Sequence, residues 1–159
     1  IVSLGHIVPG LVFLMLAPLQ FVARIRRRHL AFHRRSGRLL VLTGAVSGLF
    51  ALVAAAVFPA FGGTPTQLAT LAFGLMFLAS LWMAVLRIRQ RRVKEHREWM
   101  IRVFAIALGV ATIRAVIGLS QAVTGRTMVE VFGFSFWVGF GINFLIAEWW
   151  IRRTRPAGA

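Results

Sequence analysis

Long apolar runs alternate along this chain with short arginine-rich stretches. Five apolar runs can be drawn, at about residues 1–23, 39–60, 67–86, 103–123 and 128–151. Each is close to the roughly 20 residues that a helix rising about 1.5 Å per residue needs to cross a hydrocarbon layer. Inside lipid every backbone polar group must find a partner within its own segment, so runs of this kind predict helices. The connections are short, which predicts antiparallel packing of successive helices. The expected fold is all-α: a polytopic transmembrane bundle of five spans, forming a single domain over residues 1–159.

The polar stretches carry a repeat. Arg24-Ile25-Arg26 is followed by His33-Arg34, and 63 residues later Arg87-Ile88-Arg89 is followed by His96-Arg97. Each copy sits in the connection between two apolar runs, which suggests a duplicated helical hairpin with two histidines at matching positions. Small residues also recur at helical spacing: Gly44, Gly48, Ala51 and Ala55 in the second run, and Ala107, Ala111, Gly118 and Gln121 around Arg114 in the fourth. Spacings of three and four put each set on one helical face, where backbones can approach closely. Helix packing is the expected use of the purely apolar set.

Charge then orients the bundle. The first connection holds Arg24, Arg26, Arg27, Arg28, Arg34, Arg35 and Arg38; the third holds Arg87, Arg89, Arg91, Arg92, Lys94, Arg97 and Arg102; the tail holds Arg152, Arg153 and Arg155. Five antiparallel spans bring all three clusters to one side, and the positive-inside rule makes that side cytoplasmic. The first residue of this sequence is then outside and its C-terminus inside, in a bacterial inner membrane. A net charge of +15 would suggest nucleic acid on a soluble surface, but 58% hydrophobic residues and charge confined to segment edges favour anionic lipid headgroups. The chain has no Cys, Asp or Tyr and only four Glu. Thiolate metal sites, iron–sulfur ligation, covalent haem attachment and a Ser-His-Asp relay are thereby excluded.

Several motifs together are familiar. They are His6-x-x-x-Gly10, Pro18-Leu19-Gln20-Phe21, His33-Arg34-Arg35-Ser36-Gly37-Arg38, Gly62-Gly63, Leu81-Trp82, His96-Arg97-Glu98-Trp99-Met100-Ile101-Arg102 and Thr112-Ile113-Arg114. In this order they resemble a family of bacterial membrane proteins known as domain of unknown function 2306. The His-Arg-x-Trp-Met-Ile-Arg run is the most specific element. Arg35-Ser36 departs from the bulkier, Trp-Leu-like pair expected before Gly37. The resemblance implies a multi-pass membrane protein, often with a further apolar segment upstream (a sixth span, missing from this sequence). It implies no activity.

Candidate chemistry rests on few residues. His33 and His96, at one edge of the membrane, could face each other and hold a haem b iron axially or sit beside a quinone headgroup; the simpler alternative is that each orients a helix start among arginines. Arg114 lies deep in the fourth run, where a charge costs on the order of 2.5–3.5 kcal/mol on insertion scales. With His6 and Gln121 it could line an outer cavity for an anionic or carbonyl-bearing ligand; alternatively it bonds carbonyls and Asn143. Arg24, Arg26, Arg34, Arg87, Arg89, Arg97 and Arg102 are candidate lipid-headgroup ligands. Glu148 is expected to form an ion pair, and Glu95 and Glu98 to balance local charge. No metal site is expected, since the four histidines are split between the two faces and His29 and His33 sit among arginines.

Three functions fit. A non-catalytic, lipid-contacting module or accessory subunit of a larger membrane complex explains most features. A haem- or quinone-binding redox protein is the alternative, and a small transporter with an intramembrane anion site the third. Other membrane subunits are candidate partners, nucleic acid is not, and an enzyme is the less favoured reading.

Overall fold

A computed structural model describes residues 1–155. Within them lie six helices: α1 (Val2–Phe21), α2 (Ala23–Arg28), α3 (Leu30–Val57), α4 (Thr64–Arg89), α5 (Val93–Thr124) and α6 (Met128–Thr154). All but α2 are long and apolar enough to cross a membrane. The chain is all-α among the described residues and suits a multi-pass membrane location.

Two helices outrun their apolar stretches by the most. α3 has 28 residues and α5 has 32. At about 1.5 Å per residue they span roughly 42 and 48 Å, beyond a hydrocarbon core of about 30 Å. The arginine-rich stretches are therefore not the loops that composition suggests. His33, Arg34 and Arg38 belong to α3, and His96, Arg97 and Arg102 to α5. The physical reason is that arginine is a good helix former, and Ser36 returns its hydroxyl to Phe32 O at 2.7 Å without leaving the helix. Only short breaks turn the chain: Val22 and His29 on either side of α2, and Gln90-Arg91-Arg92 after α4.

The other turns follow local rules. Between α3 and α4, Gly62 and Gly63 take φ of 81° and 75°, conformations that favour glycine, and Pro65 opens α4 within its first turn. Gly125, at φ 67°, ends α5 in the left-handed cap; Thr127 and Glu130 then form a capping box on α6.

Packing is built on α4, which touches α3, α5 and α6, while α1 lies along α3. One core joins four helices: Phe13 and Ala17 of α1, Leu40 of α3, Phe77, Leu81 and Ala84 of α4, and Met100, Val103 and Ile106 of α5. Glycines let these helices close. Gly44 receives the Phe13 ring, Gly48 receives Leu78 and Phe77, and Gly139 of α6 lies against the backbone of Ile113. The small-residue face of α3 is thus filled by α1 and α4. A smaller cluster of Ile113, Ile117 and Val131 fastens α5 to α6 further from the arginines.

Candidate functional site

The bundle's topology gathers the three basic clusters at one end, where the C-termini of α1, α4 and α6 meet the N-termini of α3 and α5. Three of the four glutamates are here, each bound by arginine. Glu95 is 3.2 Å from Arg87 and also meets Arg92; Glu98 accepts two bonds from Arg155 at 2.7 and 2.9 Å; Glu148 accepts two from Arg102. Lying beyond α6, the Arg155 guanidinium has its pKa raised by the Glu98 carboxylate. The candidate headgroup ligands therefore divide. Arg87 and Arg102 are partly buried and paired, whereas Arg24, Arg26, Arg34, Arg89 and Arg97 are exposed with no carboxylate partner among the described residues. Arg24, Arg27 and Arg28 frame a shallow cationic depression of about 470 Å³ on α2.

A second shallow depression, of about 530 Å³, runs along the side of the bundle between α4, α5 and α6. Met76, Ala79, Trp99 and Phe144 give it an apolar wall, and Ser80, Arg102, Glu148 and Arg152 supply its polar groups. Arg102 is held there twice, by Glu148 and by the Trp99 ring 4.5 Å from its guanidinium carbon. The most specific motif of the sequence thus contributes both Trp99 and Arg102 to one groove. Sequence reasoning paired Glu148 with the arginines but missed this groove, because its other members are ordinary apolar residues from α4 and α6 that only tertiary packing assembles.

The two matching histidines sit at equivalent places near the starts of α3 and α5, at the basic end of the bundle. Their bonding differs. His96 Nδ1 lies 2.8 Å from Ala84 O, which fixes the ring and leaves Nε2 open if Nδ1 carries the proton. His33 Nδ1 is buried and has no hydrogen-bond partner among the described residues. An imidazole held through Nδ1 keeps Nε2 for a metal or a hydrogen bond, so His96 is the residue that would hold a haem iron or a quinone oxygen, were either bound. Room is the harder condition. Two turns deeper on the same faces, Leu40 and Val103 are fully buried in the core that α1 and α4 share with α3 and α5, so that level is already filled.

The proposed outer trio is not drawn together by hydrogen bonds among the described residues. His6 Nδ1 lies 3.0 Å from Ser47 O and 3.1 Å from Ser47 Oγ, and that hydroxyl donates to His6 O at 2.8 Å. Gly10 explains the His-x-x-x-Gly spacing: a Cβ there would stand 2.9 Å from Ser47 Oγ and push it off His6. Arg114 is exposed and donates to Val110 O of its own helix at 3.1 Å. Asn143 instead donates to Thr112 Oγ1 at 2.7 Å. Gln121 is half-buried on the same helix.

Other motif residues find structural roles. Gln20 donates to Ser36 Oγ at 2.8 Å and lies against Gly37, so the short side chain at position 36 serves the α1–α3 contact. His29 caps α3 through its backbone, accepting from His33 N–H at 3.0 Å. Among the described residues no three histidines or carboxylates gather as a metal site.

No curated protein and no solved structure matches the chain. Its motifs and all-helical, span-length architecture agree instead with a family defined by sequence. Over residues 3–151 the chain matches the family described as "Predicted membrane protein (DUF2306)", and it belongs to that family.

Proposed function

We propose that this protein is a non-catalytic membrane module that grips anionic lipid at its basic end and serves as an accessory subunit of a larger membrane complex. The observation that carries this is the lateral groove meeting the arginine-rich end. An apolar wall of Met76, Ala79, Trp99 and Phe144 suits an acyl chain, and Arg152 at its polar side has no carboxylate partner among the described residues to compete with a lipid phosphate. Arginine donors match phosphate oxygens in pairs, and a cluster of them beside a membrane attracts anionic lipid. By the positive-inside rule this end is cytoplasmic, in a bacterial inner membrane.

Native mass spectrometry of detergent-released protein tests the reading. Phosphatidylglycerol should be retained more strongly than phosphatidylcholine, and Arg152→Gln should weaken its retention severalfold. Equal retention of the two lipids, or no effect of the substitution, would overturn it.

A redox reading has one observation in its favour: of the two matching histidines, His96 is held through Nδ1 and His33 has a buried Nδ1 with no hydrogen-bond partner among the described residues. These two side chains would hold a haem b iron, or flank a quinone, and the bound group would supply one- or two-electron chemistry. Absorbance of the purified protein, oxidised and then dithionite-reduced, decides the haem case. A Soret band with an α band sharpening on reduction, lost in His33→Ala and His96→Ala, would displace the lipid-module reading; a featureless spectrum removes haem. The transporter reading has least support, since Arg114 faces outward from the bundle.

A further inference from the structure

The small-residue faces of α3 and α5 look alike in sequence and end differently. On α3, Gly44 and Gly48 are filled by Phe13, Phe77 and Leu78. On α5, Ala111, Arg114, Ala115, Gly118 and Ala122 are all exposed, and a Cβ added at Gly118 meets nothing within 4 Å. The face alone says little; the arginine in it says more.

Arg114 stands twelve residues beyond Arg102 and ten before Thr124, about 18 and 15 Å along the helix. Side chains lean toward a helix's N-terminus, and this one does, with Nη1 on Val110 O, one turn back. Its guanidinium therefore points away from the nearer membrane surface. Snorkelling would take it the other way. Phosphate at the basic end lies near Arg102, roughly 12 Å beyond Val110, out of reach. A guanidinium has five N–H donors, and among the described residues only Val110 O accepts from this one. A charge at such depth normally meets a partner.

Among the described residues no carboxylate is free to pair with it at that level. Glu95, Glu98 and Glu148 are engaged at the basic end, and Glu130 caps α6 at the other. A twofold dimer through this face would set Arg114 near its own copy, like charge against like. We propose that the exposed face of α5 docks a transmembrane helix of a different membrane protein, one carrying an Asp or Glu at mid-depth that pairs with Arg114. The inference rests on the accessory-subunit part of the function proposed above, and it names the surface and the chemistry of the partner. The small residues around Arg114 let that helix come close enough for the pair to form out of lipid.

A photoreactive side chain at Gly118 of the full chain, in its native membrane, tests this. Expected is a cross-link to an apolar segment of another protein that contains Asp or Glu. Its yield should fall at least fivefold in Arg114→Leu, be retained in Arg114→Lys, and fall likewise when that carboxylate is replaced by its amide. Four results would overturn the proposal: products of lipid only, products within this same polypeptide or a second copy, a segment without a carboxylate, or a yield indifferent to Arg114→Leu. Phosphatidylglycerol retention, measured on the same variants, should be unchanged by Arg114→Leu. A lost cross-link thus leaves the lipid reading standing, and lost lipid selectivity leaves the docking face standing.

Discussion

The two hairpins, α1–α3 and α4–α5, carry the same basic signature 63 residues apart and use it differently. In the second, α4 runs on to Arg89, and His96 binds the carbonyl of Ala84 within it. The residue matching Ala84 is Phe21, where α1 ends; the chain leaves the helix at Val22, and His33 Nδ1 has no partner among the described residues. Glu95 and Glu98 tie the second turn to Arg87, Arg92 and Arg155, whereas Phe32 and Arg35 hold the matching places in the first. One hairpin is locked by α6 and by carboxylates. The other leaves its arginines exposed and, among the described residues, without a carboxylate partner. A shared motif therefore specifies where a turn falls at the membrane edge, and the neighbouring helices decide what its side chains do.

The largest difference should appear at Arg102, whose counterpart is Leu39. Removing one member of a buried ion pair costs about 3–5 kcal/mol. With side chains 13% and 22% exposed, about 2–3 kcal/mol is expected here for Arg102→Leu, read from thermal unfolding in detergent. Leu39, 47% exposed, should cost under about 0.5 kcal/mol when changed to Ala. Restoring most of the lost stability with Arg102→Leu combined with Glu148→Leu would identify the stranded carboxylate as the cause. Equal losses at Arg102 and Leu39 would mean that α6 does not distinguish the hairpins.

The histidines give a smaller contrast. His96→Ala removes one hydrogen bond and should cost about 1 kcal/mol. His33→Ala removes a buried nitrogen that has no partner among the described residues, and relief of that desolvation offsets the lost packing, so a change near zero is expected. The same unfolding measurement on both variants checks it. A larger loss at His33 than at His96 would reveal a partner for His33 in the protein's working state and would revive the redox reading.

Which parts were legible in the sequence follows from what each depends on. Span number and the gathering of arginines at one end depend on local hydropathy and chain direction, and both could be read from runs of residues. Helix limits could not, because arginine marks a charge and favours helix equally; α3 and α5 begin about nine or ten residues before their apolar runs. His6 shows the same limit at a candidate site. Its spacing to Gly10 was visible, but its partner, Ser47, lies 41 residues away on another helix. Arg114 was conspicuous as a charge in an apolar run; that it faces outward depends on which face of α5 buries Ile113 and Ile117 against α6.

The smallest expected effect concerns the turns themselves. Arg91 takes φ of 61°, the one non-glycine residue with positive φ among the described residues, and Arg92 N–H reaches back to Arg87 O at 2.9 Å to close the end of α4. This is the position where helices commonly place glycine, since a Cβ there crowds the following carbonyl by about 1–2 kcal/mol. Part of that strain is offset in Arg91→Gly by the extra freedom glycine has when unfolded. A gain of about 0.5 kcal/mol is therefore expected. The matching Arg28 is instead the last helical residue of α2, ahead of its cap at His29, where glycine should cost about 1 kcal/mol or less. Opposite signs at two arginines in one repeated motif, measured as unfolding midpoints, would tie the difference between the hairpins to backbone conformation. The same sign at both would mean that the two turns share one conformation in the membrane and that the difference lies only in their side chains.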